Sequence, residues 1–303
     1  HQKCAFIGTV ERQYDDSFAK DGAKIGDALR IRLPNQYVVQ NGPGITAQDT
    51  TELSVSLTVA TQKVVPMSFL TSELTLSLDD FQERILEPAM SVLAANIESD
   101  AFNMVKDVAQ QVGVPGTTPT DLVTYLDAKA RLDFSLAPHS QRRIQVDPLA
   151  SAKLINTLKT LFNPQDSISE QYREGLMGKA ASFDWYMNTL IQRITNGNTV
   201  AAVTTGTTPL SGSTLGLATI ASGNTFKRGQ VFTIANVFDV HPETKVSLGV
   251  LKKFTITADF TAVATTGTIS ISPAIIGATP AATAGYQNVS AIPIAGALLV
   301  FDG

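Results

Sequence analysis

Cysteine is nearly absent from this 303-residue chain: Cys4 stands alone, so no internal disulfide forms and an oxidised, cross-linked scaffold is excluded. Histidine is almost as scarce. His1, His139 and His241 lie in separate segments with no cysteine or histidine at ligand spacing, which leaves a zinc site without a core of ligands. Ser-His-Asp hydrolysis through His139 or His241 lacks a nucleophile-elbow pattern, and each of the two stands beside a proline in a turn, where a solvated or locally bonded imidazole is expected. The pair Gly178-Lys179 looks like the end of a phosphate loop, but Arg173 stands where the first glycine belongs and Ala180 where the magnesium-holding Ser or Thr belongs. No catalytic, metal or cofactor-binding residue is assigned, and the chain reads as a non-enzyme. Long apolar runs are missing too: the best, Ile292 to Phe301, falls short of the ~18 residues a membrane helix needs and contains Pro293 and Gly296. Nor is there an excess of positive charge. A net charge of −4 and a pI near 5.4 argue against a protein whose main task is gripping phosphates.

What is present is a foldable chain, 44% hydrophobic and long enough for two or three domains. Residues 1–24 form a mixed, charged arm with no fold of its own. Two runs then alternate strictly, Ala28 to Leu33 and Leu53 to Val59, and a period of two predicts half-exposed strands. Asn41-Gly42-Pro43-Gly44 lies between them as a turn cluster, so the pair is expected to close as a long antiparallel ribbon. Two strands alone have no second layer to bury their apolar side, and the ribbon therefore needs a partner surface. Arg30 and Arg32 fall on one side of the first strand and, with Lys63, outline a basic face.

A further strand is expected at Leu74 to Leu78, followed by Asp79-Asp80, an acidic pair suited to a helix N-terminus. The longest helical pattern runs from Glu87 to Gln111. Pro88 opens it, Gly113 and Pro115 stop it, and Met90, Leu93, Ile97, Ala101, Met104 and Val108 make one stripe that should be buried. Thr120 is expected to cap a second helix, Asp121 to Leu132. A strand at 141–146 and a helix from Pro148 to about Phe162 complete an α+β layer with helices on one face of a sheet. Composition then changes: 41 charged residues precede Asn196, and 8 are found in the 95 residues from Asn196 to Ser290. Short Thr- and Val-rich runs at 200–203, 231–237, 254–258 and 267–271, separated by Gly, Pro, Asn and Ser, predict a small all-β domain. Strands with so little charge can also face another molecule, which leaves a β-rich surface-binding or adhesion module on a helical base as the alternative.

Arm, ribbon, long helix and α+β domain with a β insertion, in that order, resemble the HK97-type major capsid fold. The details are similar to the coat protein family of the short-tailed phage P-twenty-two. Three passages carry the likeness: Asp21 to Pro34 at the start of the ribbon; Arg173-Glu174-Gly175 through Trp185; and Phe226-Lys227-Arg228-Gly229-Gln230-Val231-Phe232 through Val237, followed by His241-Pro242-Glu243-Thr244-Lys245. The last is the most specific.

That resemblance implies an arm (1–24), an extended loop reaching a neighbouring subunit (25–66), a peripheral domain (67–133) with a spine helix over 88–111, and an axial domain (134–195). An inserted β domain (196–290) follows, with the start of a return to the axial domain at 291–303 and a closing segment beyond Gly303. It also implies many copies forming hexamers and pentamers of an icosahedral head around double-stranded DNA, which is enclosed without sequence-specific binding. A scaffolding protein and a portal are expected as partners, a decoration protein as a further one, with assembly in the bacterial host cytoplasm and no membrane. The residues expected at intersubunit contacts are Arg30, Arg32, Leu53, Val55 and Leu57.

Overall fold

A computed structural model of the chain describes residues 5–9, 28–40, 42–44, 53–58, 61–68, 81–158, 179–198, 203–279 and 281–302. The expected strand at Leu74 to Leu78, the Asp79-Asp80 pair, the glycine turn at 175–178, most of the arm, part of the ribbon tip, the last residues of the helix expected to reach Phe162 and the start of the 200–203 run lie outside the described residues.

Strict alternation produces the ribbon. Strand β1 (Ala28–Arg32) pairs antiparallel with β2 (Ser54–Thr58), with Ala28 opposite Thr58, Ile31 opposite Val55 and Arg32 opposite Ser54. Because opposed residues share a face, this register sorts the side chains completely: Ala28, Arg30, Arg32, Ser54, Ser56 and Thr58 lie on one side, and Leu29, Ile31, Val55 and Leu57 on the other. The ladder extends by one bond, from Leu33 N to Leu53 O at 2.8 Å.

The spine begins as a π-helical turn, Gln82–Leu86, and continues as helix α2 (Glu87–Phe102) with Pro88 in its first turn, where a missing N–H costs nothing. Two expectations are corrected here. The α-helix ends at Phe102, not Gln111; a 3₁₀ turn, Asn103–Asp107, follows and Val108 is already extended. Tertiary bonds take over at that end, since Lys106 O accepts from Thr255 Oγ1 at 3.1 Å and Asp107 pairs with Arg228. Most of the stripe expected to be buried is open: Met90 is 62% exposed, Met104 56% and Val108 54%, while Leu93 and Ala101 are half-buried. The packed face is the neighbouring one, with Ser91 and Ala95 half-buried and Glu98 and Phe102 buried, because Glu98 and Phe102 meet helix α1 (Ala5–Thr9).

Helix α3 (Leu122–Phe134) has Asp121, not Thr120, at its N-cap position, with an extended backbone there and no side-chain capping bond. Strand β3 (Arg143–Val146), helix α4 (Pro148–Leu158) and strands β4 (Lys179–Ala180) and β5 (Phe183–Met187) form a three-stranded sheet in the order β3-β5-β4, with β3 parallel to β5. Tyr125, Val146, Leu154, Phe183 and Trp185 fill the space between helices and sheet. The Tyr125 and Trp185 rings meet edge-on at 4.9 Å, a favoured aromatic geometry.

Beyond residue 203 the elements among the described residues are β strands apart from one 3₁₀ turn, Ala281–Tyr286: β6 (Thr204–Thr205), β7 (Gly212–Ala218), β8 (Thr225–Phe226), β9 (Val231–Val240), β10 (Ser247–Ile256), β11 (Phe260–Thr261), β12 (Gly267–Ile275) and β13 (Leu299–Phe301). Six of these make one sheet in the order β13-β9-β10-β12-β7-β6. Its ends meet, since Thr204 bridges Leu298 and Leu299 N donates to Val203 O at 2.8 Å, so the sheet closes into a barrel without free edges. Residues 299–301 add a strand to this sheet, Leu299 opposite Ile234. A continuous core of fully buried Leu215, Phe226, Phe232, Ile234, Phe254 and Ile256 lies inside.

Candidate assembly surface

Among the described residues the ribbon shows its aliphatic side uncovered. Along its aliphatic side Ile31 is 45% exposed, Val55 53% and Leu57 59%, and the flanking Leu33 and Leu53 are exposed as well. Contiguous apolar surface of this kind marks an interaction site when it is not dispersed singly among polar groups. Of the five residues predicted from sequence, Leu53, Val55 and Leu57 line this aliphatic edge. Arg30 and Arg32 lie on the opposite, hydroxyl-rich face, where Arg30 Nε donates to Ser54 Oγ at 2.8 Å. The five residues thus serve two faces. Lys63 joins neither: its ammonium pairs with Asp100 of α2 at 2.6 Å and ties the returning leg of the loop to the spine.

A buried polar knot holds the spine in place. Glu98, 0% exposed, accepts from the backbone N–H of Phe6 and of Ile7 in α1 (3.1 Å for Ile7) and from Asn188 Nδ2 at 2.9 Å. Asn188 also donates to Gln145 Oε1 on β3 at 3.0 Å, and its Oδ1 accepts from Leu190 N at 2.9 Å. Gln192 Nε2 reaches Ser99 O and Oγ, both at 2.9 Å. One carboxylate therefore joins arm, spine and sheet. Sequence reading passed over it because its partners are some ninety residues away and two of them are backbone amides.

The barrel is tied to the spine by charge. Arg228 Nε donates to Asp107 Oδ1 at 2.8 Å, while Arg228 N donates to Asp259 Oδ1 at 2.8 Å and Lys227 Nζ to Asp259 Oδ2 at 2.7 Å. The Lys227 hydrogen bond, helped by that from Arg228 N, holds the Asp259 carboxyl below its usual value, and Asp107 raises the Arg228 pKa. In the α+β layer, Arg142 Nη2 lies 2.7 Å from Asp133 Oδ1 and holds that carboxyl below the usual range. The histidines considered for hydrolysis are accounted for locally. His139 Nδ1 is 3.5 Å from Asp133 Oδ1, and His241 Nδ1 accepts from Glu243 N and Thr244 N at 3.3 Å each, closing a turn. Among the described residues no group of three His, Cys, Asp or Glu could hold a metal ion, and no helix is long and apolar enough to cross a membrane.

Among solved structures the chain is similar to the CUS-3 coat protein I-domain, with 28% identity over 33% of this chain and 94% of that one and a TM-score of 0.26. It is also similar to a chain of Mycobacterium phage Che8, with 12% identity over 88% of this chain and 86% of that one and a TM-score of 0.47. No curated protein matches it. Residues 8–300 match the model of the family described as P22 coat protein, gene protein 5, and over so nearly complete a length the match means that the chain belongs to the P22 coat protein family.

Proposed function

We propose that this phage major capsid protein joins its neighbours through the ribbon, whose aliphatic face is buried by an adjoining copy in the shell. The family makes the chain a structural, non-enzymatic component of the virion capsid. The observation that supports the ribbon as its connector is the complete sorting of Leu29, Ile31, Val55 and Leu57 onto one uncovered side of a two-stranded element. Burying such a face returns ~25 cal/mol per Å² before the cost of association, and many weak copies of one contact suffice in a closed lattice. Arg30 and Arg32 place positive charge on the other face, complementary to acidic groups of a neighbour. The parts then read as an HK97-type fold: arm (1–24), extended loop (25–66), peripheral domain with the spine (67–133), axial domain (134–195), an inserted β domain (196–290) and the start of a return to the axial domain (291–303), with β13 pairing against β9.

In this reading the subunits form hexamers and pentamers of an icosahedral head. A scaffolding protein and a portal act during assembly in the host cytoplasm, and a decoration protein can join the finished shell. The net charge of −4 suits a container that encloses double-stranded DNA without adhering to it. The adhesion alternative has no observation in its favour. A double substitution, Val55→Ser with Leu57→Ser, tests the connector: both residues lie outside every core, so the subunit should melt within a degree or two of the parent. Assembly with scaffold should meanwhile give few closed particles by negative-stain microscopy. Particles in normal yield would remove the ribbon from its role.

A further inference from the structure

The loop that carries the ribbon is not free at its base. Gly285, buried in the 3₁₀ turn Ala281–Tyr286, faces the backbone of Gln36 so closely that a Cβ at 285 would lie 2.4 Å from Gln36 O and 2.9 Å from its carbonyl carbon. Real Cβ contacts do not come that near. Gly285 does not have the positive φ that favours glycine, so the missing side chain answers a need for space and not for conformation. Lys245 adds a second contact, its Nζ lying 3.4 Å from Gln36 Oε1 and 2.6 Å from Pro242 O.

The two sides of this seat differ in stiffness. Behind Gly285, Asn288 clamps the turn to the barrel: its Nδ2 donates to Ala274 O at 2.6 Å, its Oδ1 accepts from Ile276 N at 3.0 Å, and its own N donates to Ile276 O at 3.0 Å. Opposite it, residues 33–40 belong to no helix or strand. If the contact is crowded, the loop is the side that gives. Three residues before Gln36, Leu33 N makes the last ladder bond of the ribbon to Leu53 O, so a shift at Gln36 reaches the ribbon directly.

We infer that the β barrel of each subunit sets the direction in which that subunit's own ribbon leaves, with Gly285 as the positioning residue and the Gln36 backbone as the part positioned. The consequence for assembly rests on the ribbon being the connector proposed above; the seat within one subunit does not. Gly285→Ala tests it, and Gln36→Gly, which lies outside the barrel and removes the Lys245 contact, serves as the second variant should the first impair barrel folding. Hydrogen exchange of the unassembled full chain should show the amides of residues 36–40 exchanging about tenfold faster in Gly285→Ala, and less markedly faster in Gln36→Gly. Barrel amides in β9, β10 and β12 should be unchanged, and closed particles should become rare. Unchanged exchange at 36–40 in both variants overturns the seat. Faster exchange with normal particles overturns the direction-setting role if Val55→Ser with Leu57→Ser blocks assembly. If that ribbon variant also assembles normally, the seat stands and the connector reading fails.

Discussion

Glu98 is a single carboxylate with three donors aimed at it, two from the arm helix and one from Asn188, and no solvent to share the work. Leaving a buried donor unpaired costs about 1–3 kcal/mol, so Glu98→Ala should destabilise the subunit by roughly 3 kcal/mol, less than three full penalties because α1 can lift off and rehydrate. Glu98→Gln keeps one acceptor oxygen and should cost about half as much. Denaturant unfolding measures the loss, and limited proteolysis should show cleavage near residues 5–9 in the alanine variant well before the rest of the chain is cut. Equal resistance in parent and variant would mean that the Phe6–Phe102 ring contact, at 4.7 Å, holds the arm by itself. Nothing in the local sequence signals this residue. Glu98 stands between Ile97 and the polar pair Ser99-Asp100, where a solvated glutamate is the ordinary reading, and only the folded chain brings its donors to it.

Among the elements, the ribbon was the most legible, because a period of two determines both the strands and their faces once one turn is recognised between them. The spine was legible in kind but not in extent. A 3.6-residue pattern identifies a helix; which stripe is buried depends on what arrives from elsewhere, and here Phe6 and Asn188 meet the face of Glu98 and Phe102 while Met90 and Met104 stay open. Strand β7 was missed because Gly212 and Gly216 break its alternation, yet Gly216 is required where it stands: a Cβ there would lie 2.4 Å from Thr208 O. The joint between barrel and spine, unreadable from sequence, supports a pH prediction. Lys227 and the Arg228 amide depress the Asp259 pKa below its ordinary 3.8. A depressed carboxyl contributes stability that is present above pH ~3.8 and is lost as the pH falls through its lower folded-state value. The parent melting temperature should therefore fall more between pH 5 and pH 3 than that of Asp259→Asn, and parallel curves would show that this carboxyl adds nothing to the joint.

For the whole molecule, the division between closed and open surface is the informative quantity. The barrel's end strands are bridged, a continuous apolar core fills it, and its Arg228–Asp107 link to the spine is satisfied, while Val263, Ile294 and Val300 stay exposed on its outside. Contiguous aliphatic surface is uncovered on the ribbon, and further apolar surface on the side of α2 that carries Met90 and Ile97. In the connector reading a monomer with such surfaces is incomplete: strict alternation at 28–33 and 53–58 leaves Ile31, Val55 and Leu57 exposed in the subunit. Association driven by these faces must carry the temperature signature of apolar hydration, whose driving force weakens on cooling. Sedimentation velocity of the subunit at fixed salt should accordingly show larger species at 25 °C and dissociation towards monomer at 4 °C, with little response to raising the salt. Tighter association in the cold, or dispersal by moderate salt, would instead assign the cohesion to Arg30, Arg32 and acidic groups on the neighbour, since screening acts on exposed charges and not on aliphatic contacts.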